Sequence, residues 1–439
     1  MQTHDVIIVG AGITGLTLGY QLKKRGLDVL ILEKSSSVGG VIQTEVIKNC
    51  VLELGPHTLL ESNPLTELIS DLGLANEVIE TDPNAKKRFI VRNGLLNPLP
   101  ISPIEAIKTP LLSPLAKLRA CIEPCIRVGS KEDESVSDFF KRRFGNEFAS
   151  HIALAALNGI WAADFSRLST RSALPTLWNM EKHSSSIILG ALIKKDKKRH
   201  KIISFKKGLS TLTNALANAL HESLSLNREV LQIKKIGDIF EVSLENETIT
   251  SKNVILCVEA DTTGKLIHSL NQNISRKIET LPYAPLGLIH LLVRKNSVKH
   301  PLDGFGFLTS PKDNLSVLGG IFSSSIFRER ATLDSHLITC FSGGGYKPEL
   351  ADVTKLEVQK EVIHSVSSLL SIESPPEILK TVYWPKAVPT YPLNHHTLLE
   401  SVSSFEKDCK GLFLLGNWRM GISLSARIEE AFTLSKQFE

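Results

Sequence analysis

The 439-residue chain lacks any uninterrupted apolar run of about 18 residues, so no segment has the length of a membrane-crossing helix. Contact with a single leaflet stays open. The first residues lead straight into a β-like apolar run, which gives the expectation that there is no signal peptide. Cysteine is sparse, at six residues (Cys50, Cys121, Cys125, Cys257, Cys340, Cys409), and none forms a C-x-x-C pair. Cys121 and Cys125 share a face if that stretch is helical, but no second pair or nearby histidine completes a metal set. The expectation is six buried thiols in a reducing compartment, and no metal. Charge of one sign is also scarce: the net +5 is modest, and much of it falls in one run, Lys194 to Lys201. Such a run is a solvated loop or a contact for anionic lipid headgroups. With no aromatic residue interleaved, it is a poor nucleic-acid surface. What the chain does have is 42% hydrophobic residues, enough for a large core over two or three domains.

The opening stretch, residues 6–41, is the most informative. Val6 to Val9 is a short β-branched run suited to a strand buried on both faces of a parallel sheet. Gly10-Ala11-Gly12-Ile13-Thr14-Gly15 follows at once. In such a turn the first glycine permits a sharp bend, the second lets a pyrophosphate approach the backbone, and the third lets the next helix pack closely. A second apolar strand, Val29 to Leu32, ends at Glu33, placed to accept hydrogen bonds from ribose hydroxyls. Gly39-Gly40 and Val41 come next and resemble the extended fingerprint of two-dinucleotide-binding-domain flavoproteins, which favours FAD over NAD.

Further along, alternation over residues 41–54 reads as a hairpin ending at Gly55-Pro56-His57-Thr58, a turn that can bring bare backbone against a flat ring. His57 has no identifiable carboxylate partner and reads as a turn residue, not a base. Arg88-Phe-Ile-Val turns at Asn93-Gly94, and Arg88 is either a surface charge or a two-point carboxylate anchor. Residues 98–130 are rich in proline and leucine, which fits an internal helical layer or a monotopic membrane patch equally. Helices are expected over 137–148, 148–160 and 175–182, then over 209–220 and 354–370. Strands are expected at 229–233, including Val230, at 253–258, and through much of 285–345. The last block, Gly411 to Asn417, repeats the opening logic: an apolar strand, a glycine turn at Gly416, and a helix from about Ser423.

Several stretches taken jointly resemble one family. These are G-A-G-I-T-G, E-K-S-S-S-V-G-G, E-L-G-P-H-T, K-K-R-F-I-V-R-N-G, N-G-I-W-A-A-D-F-S-R-L-S, S-F-K-K-G-L-S-T-L, I-F-S-S-S-I-F-R-E-R-A, Y-W-P-K-A-V-P-T-Y and L-G-N-W-R-M-G-I-S. They resemble the oxygen-dependent protoporphyrinogen oxidases, FAD enzymes of heme synthesis within the amine-oxidase-like flavoproteins. The resemblance implies an α/β fold with a Rossmann-like FAD-binding domain built from separated segments (1–80, 204–262 and 396–439). It further implies a β-rich substrate domain (81–94 and 263–395) and a helical, membrane-associated insertion (95–203). The location it implies is the cytoplasm, on the inner face of the cell membrane. Monomer and homodimer both stay open.

Carried over residue by residue, the resemblance puts Gly10 to Gly15 on the pyrophosphate and Glu33 on the ribose. Gly39, Gly40 and Val41 are placed beside the cofactor. Gly55 to Thr58, Trp384, Gly416, Asn417, Gly421, Ile422, Ser423 and Leu424 lie along the flavin, and Val230 meets the adenine through its backbone. Arg88 anchors a propionate, while Asn158, Gly159, Leu308 and Phe327 line a tetrapyrrole slot. Val41, Ala163 and Met420 depart from the family pattern in ways that bear on pocket shape. The implied reaction removes six electrons from a porphyrinogen in three steps, with O2 reoxidising FAD each time. No catalytic side-chain base is demanded, and none is nominated. The alternatives are oxidation of coproporphyrinogen, another amine-oxidase-like activity, or a carrier without redox turnover.

Overall fold

In the computed structural model, residues 3–129, 132–193 and 200–438 are described. Of the basic run at 194–201, only His200 and Lys201 fall among them, so the solvated-loop and lipid readings of that run lie outside the described residues. Val6, Ile7 and Ile8 have no exposed surface, as expected of a strand covered on both sides. This strand, β1 (Thr3–Val9), leads through helix α1 (Ile13–Lys24) to a parallel neighbour, β2 (Val29–Leu32). The other neighbour of β1 is Thr248–Leu256, also parallel, with Val9 opposite Leu256. Leu224–Ser225 extends the sheet beyond β2, and Leu412–Leu414 lies parallel to the end of Thr248–Leu256. The antiparallel strands Ile239–Ser243 and Gln232–Ile236 complete its far side.

Successive residues of β1 serve opposite cores because a strand alternates its faces. Ile8 packs with Leu16, Leu22, Leu216 and Ile428 from α1, Ser210–Ala219 and Leu424–Ser435. Ile7 and Val9 pack with Ile267, Ile278, Phe405 and Trp418 on the other side.

A second seven-stranded sheet runs Glu377–Pro389, Tyr283–Arg294, Ser335–Gly343, Gly319–Ile321, Gly304–Leu308, Lys87–Arg92, Leu95–Pro98. Every neighbouring pair is antiparallel except Gly304–Leu308 with Lys87–Arg92. Asn93 and Gly94 both have positive φ, which forms the tight hairpin expected there. Helix Leu356–Leu370 covers one face through Val358, Val362, Val366 and Leu370, spaced four apart. On the other face Ile90 meets Leu111, Leu112, Ile152 and Ala155 of a helical layer that begins beyond residue 98.

Two sequence expectations shift within that layer. The expected 137–148 helix stops at Phe144, because Gly145 turns out of the helix at φ 89°. A new helical run then continues from Asn146 to Trp161, with a π-helical turn at Ala149–Ala153. The strand expected at 229–233 is Gln232–Ile236, its register fixed by the Ile236–Ile239 pairing across Gly237. The cysteines are a correction: Cys50, Cys340 and Cys409 are buried and Cys257 half-buried, but Cys121 and Cys125 are exposed. These two sit where Pro114–Cys121 and the turn Glu123–Cys125 leave the layer's core. Beneath them the Glu123 carboxylate accepts from the Ile187 and Ile188 amides at 3.0 and 3.2 Å and pairs with the fully buried Arg143. This caps helix Ile187–Ile193 and ties it to the 114–125 segment. Among the described residues no helix is long and apolar enough to cross a membrane.

Candidate functional site

The glycine turn after β1 is built as its spacing predicts. Gly10 takes φ 101°, and its amide donates to Leu32 O at 2.8 Å. A β-carbon on Gly15 would fall 2.0 Å from Gly10 O, so only glycine lets α1 approach this closely. Gly12, by contrast, has nothing within 4 Å of that position, leaving its backbone open to a ligand at the start of α1. Ile13, Thr14 and Gly15 are buried in the first turn. Glu33 folds back onto the same turn: its Oε2 accepts from the Ala11 amide at 2.7 Å and its Oε1 from the Ser35 amide at 2.9 Å. Gly39 donates to Ala11 O at 2.8 Å, and Gly40 lies against the Cα of Gly12. The two glycine motifs therefore form one surface. Val41 continues it, with its carbonyl oxygen 2.0 Å from where a Gly55 β-carbon would sit, which brings Gly55-Pro56-His57-Thr58 alongside.

The His57 side chain turns away from that surface into the interior. Its Nδ1 meets Gly55 O at 2.9 Å, and its ring packs on Phe341 and His290. Burial, reinforced by Arg330, pushes its pKa down to about 4, so it is neutral at physiological pH and holds its turn rather than moving a proton. Trp384 donates from Nε1 to Leu54 O at 2.7 Å, pinning the strand Glu377–Pro389 to the residue before Gly55.

At the other end of the chain, the turn from Gly416 to Gly421 is clamped by groups that sequence reasoning missed. The buried Arg427 donates to Gly416 O and Met420 O at 2.6 Å each. The Tyr391 hydroxyl donates to Asn417 O and accepts from the Gly421 amide, and His395 Nε2 meets Trp418 O at 2.9 Å. Arg427 sits four residues after Ser423 in the helix Leu424–Ser435, and nothing in its sequence neighbourhood marks it as buried. Ser423 caps helix Leu424–Ser435 by accepting from the Ala426 amide, and Ile422 precedes it. The first amides of this helix have no intrahelical partner, so this end suits an electron-rich atom. Val230 is buried beside Val9 and Leu32, and neither its N–H nor its C=O has a partner among the described residues.

All five residues expected in the substrate slot meet the second sheet or the residue that follows its strand Gly304–Leu308. Arg88 is exposed, makes no ion pair among the described residues, and lies with its guanidinium 5.0 Å from the Phe305 ring centre. Gly159 presses against Leu308, and Asn158 donates to Thr309 O at 3.3 Å while its buried Oδ1 stays unpartnered. Phe327 is 2% exposed and packs with Ile321 and Phe305, so it backs the wall that Phe305 presents. Phe305 itself was missed, because its position on the sheet face depends on the irregular pairing at Gly304 and Gly306.

Residues 13–433 match the model of the flavin-containing amine oxidoreductases, and the chain belongs to this family. Protoporphyrinogen oxidase 2 of Arabidopsis thaliana is 32% identical over 96% of this chain and 91% of its own length. The coproporphyrinogen III oxidase of Bacillus subtilis is 23% identical, covering 97% of this chain and 96% of that protein. A crystal structure from Exiguobacterium sp. 255-15 superposes with a TM-score of 0.84 at 20% identity, covering 100% of this chain and 99% of the other.

The cofactor is FAD, and the residues present fit it. Gly12 has the open backbone a pyrophosphate needs, Glu33 is aimed at that turn, and Val230 offers a free donor and acceptor for an adenine edge. The flavin contributes the capacity to take up two electrons and return them to an acceptor; the protein binds, orients and excludes water.

Proposed function

We propose that the chain is a protoporphyrinogen IX oxidase, carrying out the FAD- and O2-dependent six-electron oxidation to protoporphyrin IX in heme synthesis. The observation that carries this reading is the wall formed by Arg88, Phe305, Leu308 and Gly159: a guanidinium with no ion pair among the described residues, set over Phe305 on the strand that also carries Leu308. Such a face holds a flat macrocycle, and the guanidinium fork holds a propionate at its rim. Gly10 to Gly15, Glu33 and Val230 bind the cofactor, and Gly55 to Thr58, Trp384 and the Gly416–Leu424 turn lie along its ring. No side chain is assigned as a base. His57, the titratable side chain of the Gly55–Thr58 turn, is neutral and turned inward.

Coproporphyrinogen is the second reading, supported by the likeness to the Bacillus subtilis enzyme. Its four carboxylates call for more cations than this wall presents, which favours the first. The test is to expose the purified holoprotein to both porphyrinogens under air and follow porphyrin fluorescence. Faster oxidation of protoporphyrinogen is expected; a clear preference for coproporphyrinogen overturns the substrate, and inactivity on both overturns the enzyme assignment.

We further propose three working parts with the boundaries 1–80, 204–262 and 396–439 for FAD, 81–94 and 263–395 for substrate, and 95–203 for contact with one leaflet on the cytoplasmic side of the cell membrane. Support for the last comes from Ile101, Ile104, Ile107, Leu115, Leu118, Leu192 and Ile193, all at least 59% exposed and all within that insertion. Replacing Ile104 and Leu115 together by Glu is expected to release the protein from phospholipid vesicles in a flotation assay without loss of bound flavin. Unchanged flotation sinks the membrane reading.

A further inference from the structure

Arg330 and Glu53 form an ion pair of 3.0 Å with exposures of only 2% and 3%, joining the turn Arg328–Arg330 to the hairpin strand Cys50–Glu53. Neither belongs to the cofactor or substrate surfaces described above. Glu53 ends the strand Cys50–Glu53, two residues before Gly55, and its carboxylate is fully engaged. Its Oε1 accepts from the Leu209 amide at 2.9 Å as well as from Arg330, and its Oε2 from Thr44 Oγ1 at 2.7 Å. Burial raises the Glu53 pKa, and the guanidinium opposes that rise.

The same guanidinium reaches two more places. Its Nη2 donates to Ser204 Oγ at 2.6 Å, on the strand Ile202–Phe205, through which the chain returns from the helical layer. Its Cζ lies 5.3 Å from the ring centre of Phe327, the residue that backs Phe305 and hence the wall carrying Arg88. One planar group thus touches the support of the Gly55–Thr58 turn and the support of the substrate wall. A buried ion pair gains little stability over apolar residues of similar volume. Its distinctive contribution is a fixed geometry, because the planar guanidinium bonds Glu53 and Ser204 through Nη2 while it lies against Phe327, an arrangement that an ammonium does not reproduce.

We propose that Arg330 is a positioning residue that, through Glu53 and Phe327, sets the spacing between the flavin-side turn and the substrate wall. This rests on the porphyrinogen-oxidase reading. The spacing governs how closely the substrate's reacting carbon approaches the ring, so an error there slows electron transfer out of the substrate while leaving FAD and O2 chemistry alone.

The test separates the two half-reactions in holoprotein carrying Arg330→Lys or Glu53→Gln. Anaerobic mixing with whichever porphyrinogen the wild type oxidises gives the rate of flavin bleaching. Mixing chemically reduced protein with O2 gives the rate of reoxidation. Both variants are expected to retain FAD, to bleach about tenfold or more slowly, and to reoxidise within about twofold of wild type. An unchanged bleaching rate in either folded variant overturns the proposal. So does an equal loss in both half-reactions, or loss of FAD from both variants, since either makes the pair a general support of the fold. Failure of the wild type to oxidise any porphyrinogen instead removes the functional reading on which the proposal stands.

Discussion

A β-carbon on Gly159 would lie 2.5 Å from Leu308 Cδ2, so the helix Leu154–Trp161 rests bare backbone on the strand Gly304–Leu308 at the substrate wall. The atom it would meet is the free end of a leucine, which can swing aside. Gly159→Ala is therefore expected to fold: the helix gains about 0.5–1 kcal/mol from losing a glycine, and the displaced leucine takes back a similar amount. The cost falls on the wall. We expect a melting temperature close to wild type and a KM for the porphyrinogen raised about threefold to tenfold. A large drop in melting temperature with unchanged KM contradicts this account.

Arg88 gives the cleaner separation of stability from function. It has no ion pair to lose among the described residues, so Arg88→Ala should change stability by less than about 0.5 kcal/mol in urea. A carboxylate bound to it would lose a charge-assisted hydrogen bond of about 1.5–3 kcal/mol, so kcat/KM should fall about tenfold or more. Arg88→Lys should recover part of that loss. Steady-state rates on protoporphyrinogen decide it: an unchanged kcat/KM in Arg88→Ala removes the anchor.

The two glycines of the first turn are expected to fail differently. A methyl on Gly15 meets the backbone oxygen of Gly10, which cannot step aside, so Gly15→Ala should lose both the fold and the flavin. A methyl on Gly12 meets no protein atom, so Gly12→Ala should keep its circular dichroism and lose only the cofactor. Yellow, flavin-replete Gly12→Ala protein would show that the pyrophosphate does not approach this backbone.

His395 makes the fold sensitive to acid. Burial, its largest influence, pushes the ring's pKa down to about 4, below the ordinary 6.5. Between those values the unfolded chain binds a proton that the folded chain refuses. The stability contributed by this residue is therefore fully present above pH 6.5 and declines as pH falls toward 4. His395→Gln should show a smaller drop in melting temperature between pH 7 and pH 5 than wild type. The buried carboxyls Glu53 and Glu430, whose pKa values burial raises, act in the opposite direction, but they are present in both proteins and cancel in the difference. Equal drops would place the acid sensitivity elsewhere.

The parts legible in the sequence are those made by neighbours in the chain. Val6 to Glu33 states a strand, a turn and a helix in order, and Asn93-Gly94 states its hairpin. Phe305, Arg330, Tyr391 and Arg427 were not legible, because each acts on a partner distant in sequence. Arg330 meets Glu53, and Arg427 holds carbonyls whose place depends on the turn they form. The exposure of Cys121 and Cys125 was hidden for a related reason. A cysteine beside leucines reads as core, and only the packed layer shows that Leu115 and Leu118 face outward as well. Gly145 was visible, but whether a glycine ends a helix or merely weakens it depends on its φ, which spacing does not reveal.

Leu412–Leu414 lies in the middle of the first sheet's working region, beside the strand next to β1, and the helix after it packs on α1. Its place in the chain has a consequence for biosynthesis. A ribosome delivers the first glycine turn early, but that turn lacks the support of Leu412–Leu414 and of the helix Leu424–Ser435 until those segments emerge. The nascent polypeptide must wait with a half-made nucleotide cradle. Flavin loading is thereby deferred until Leu424–Ser435 has emerged, so a product terminated before Leu412 should carry no pigment.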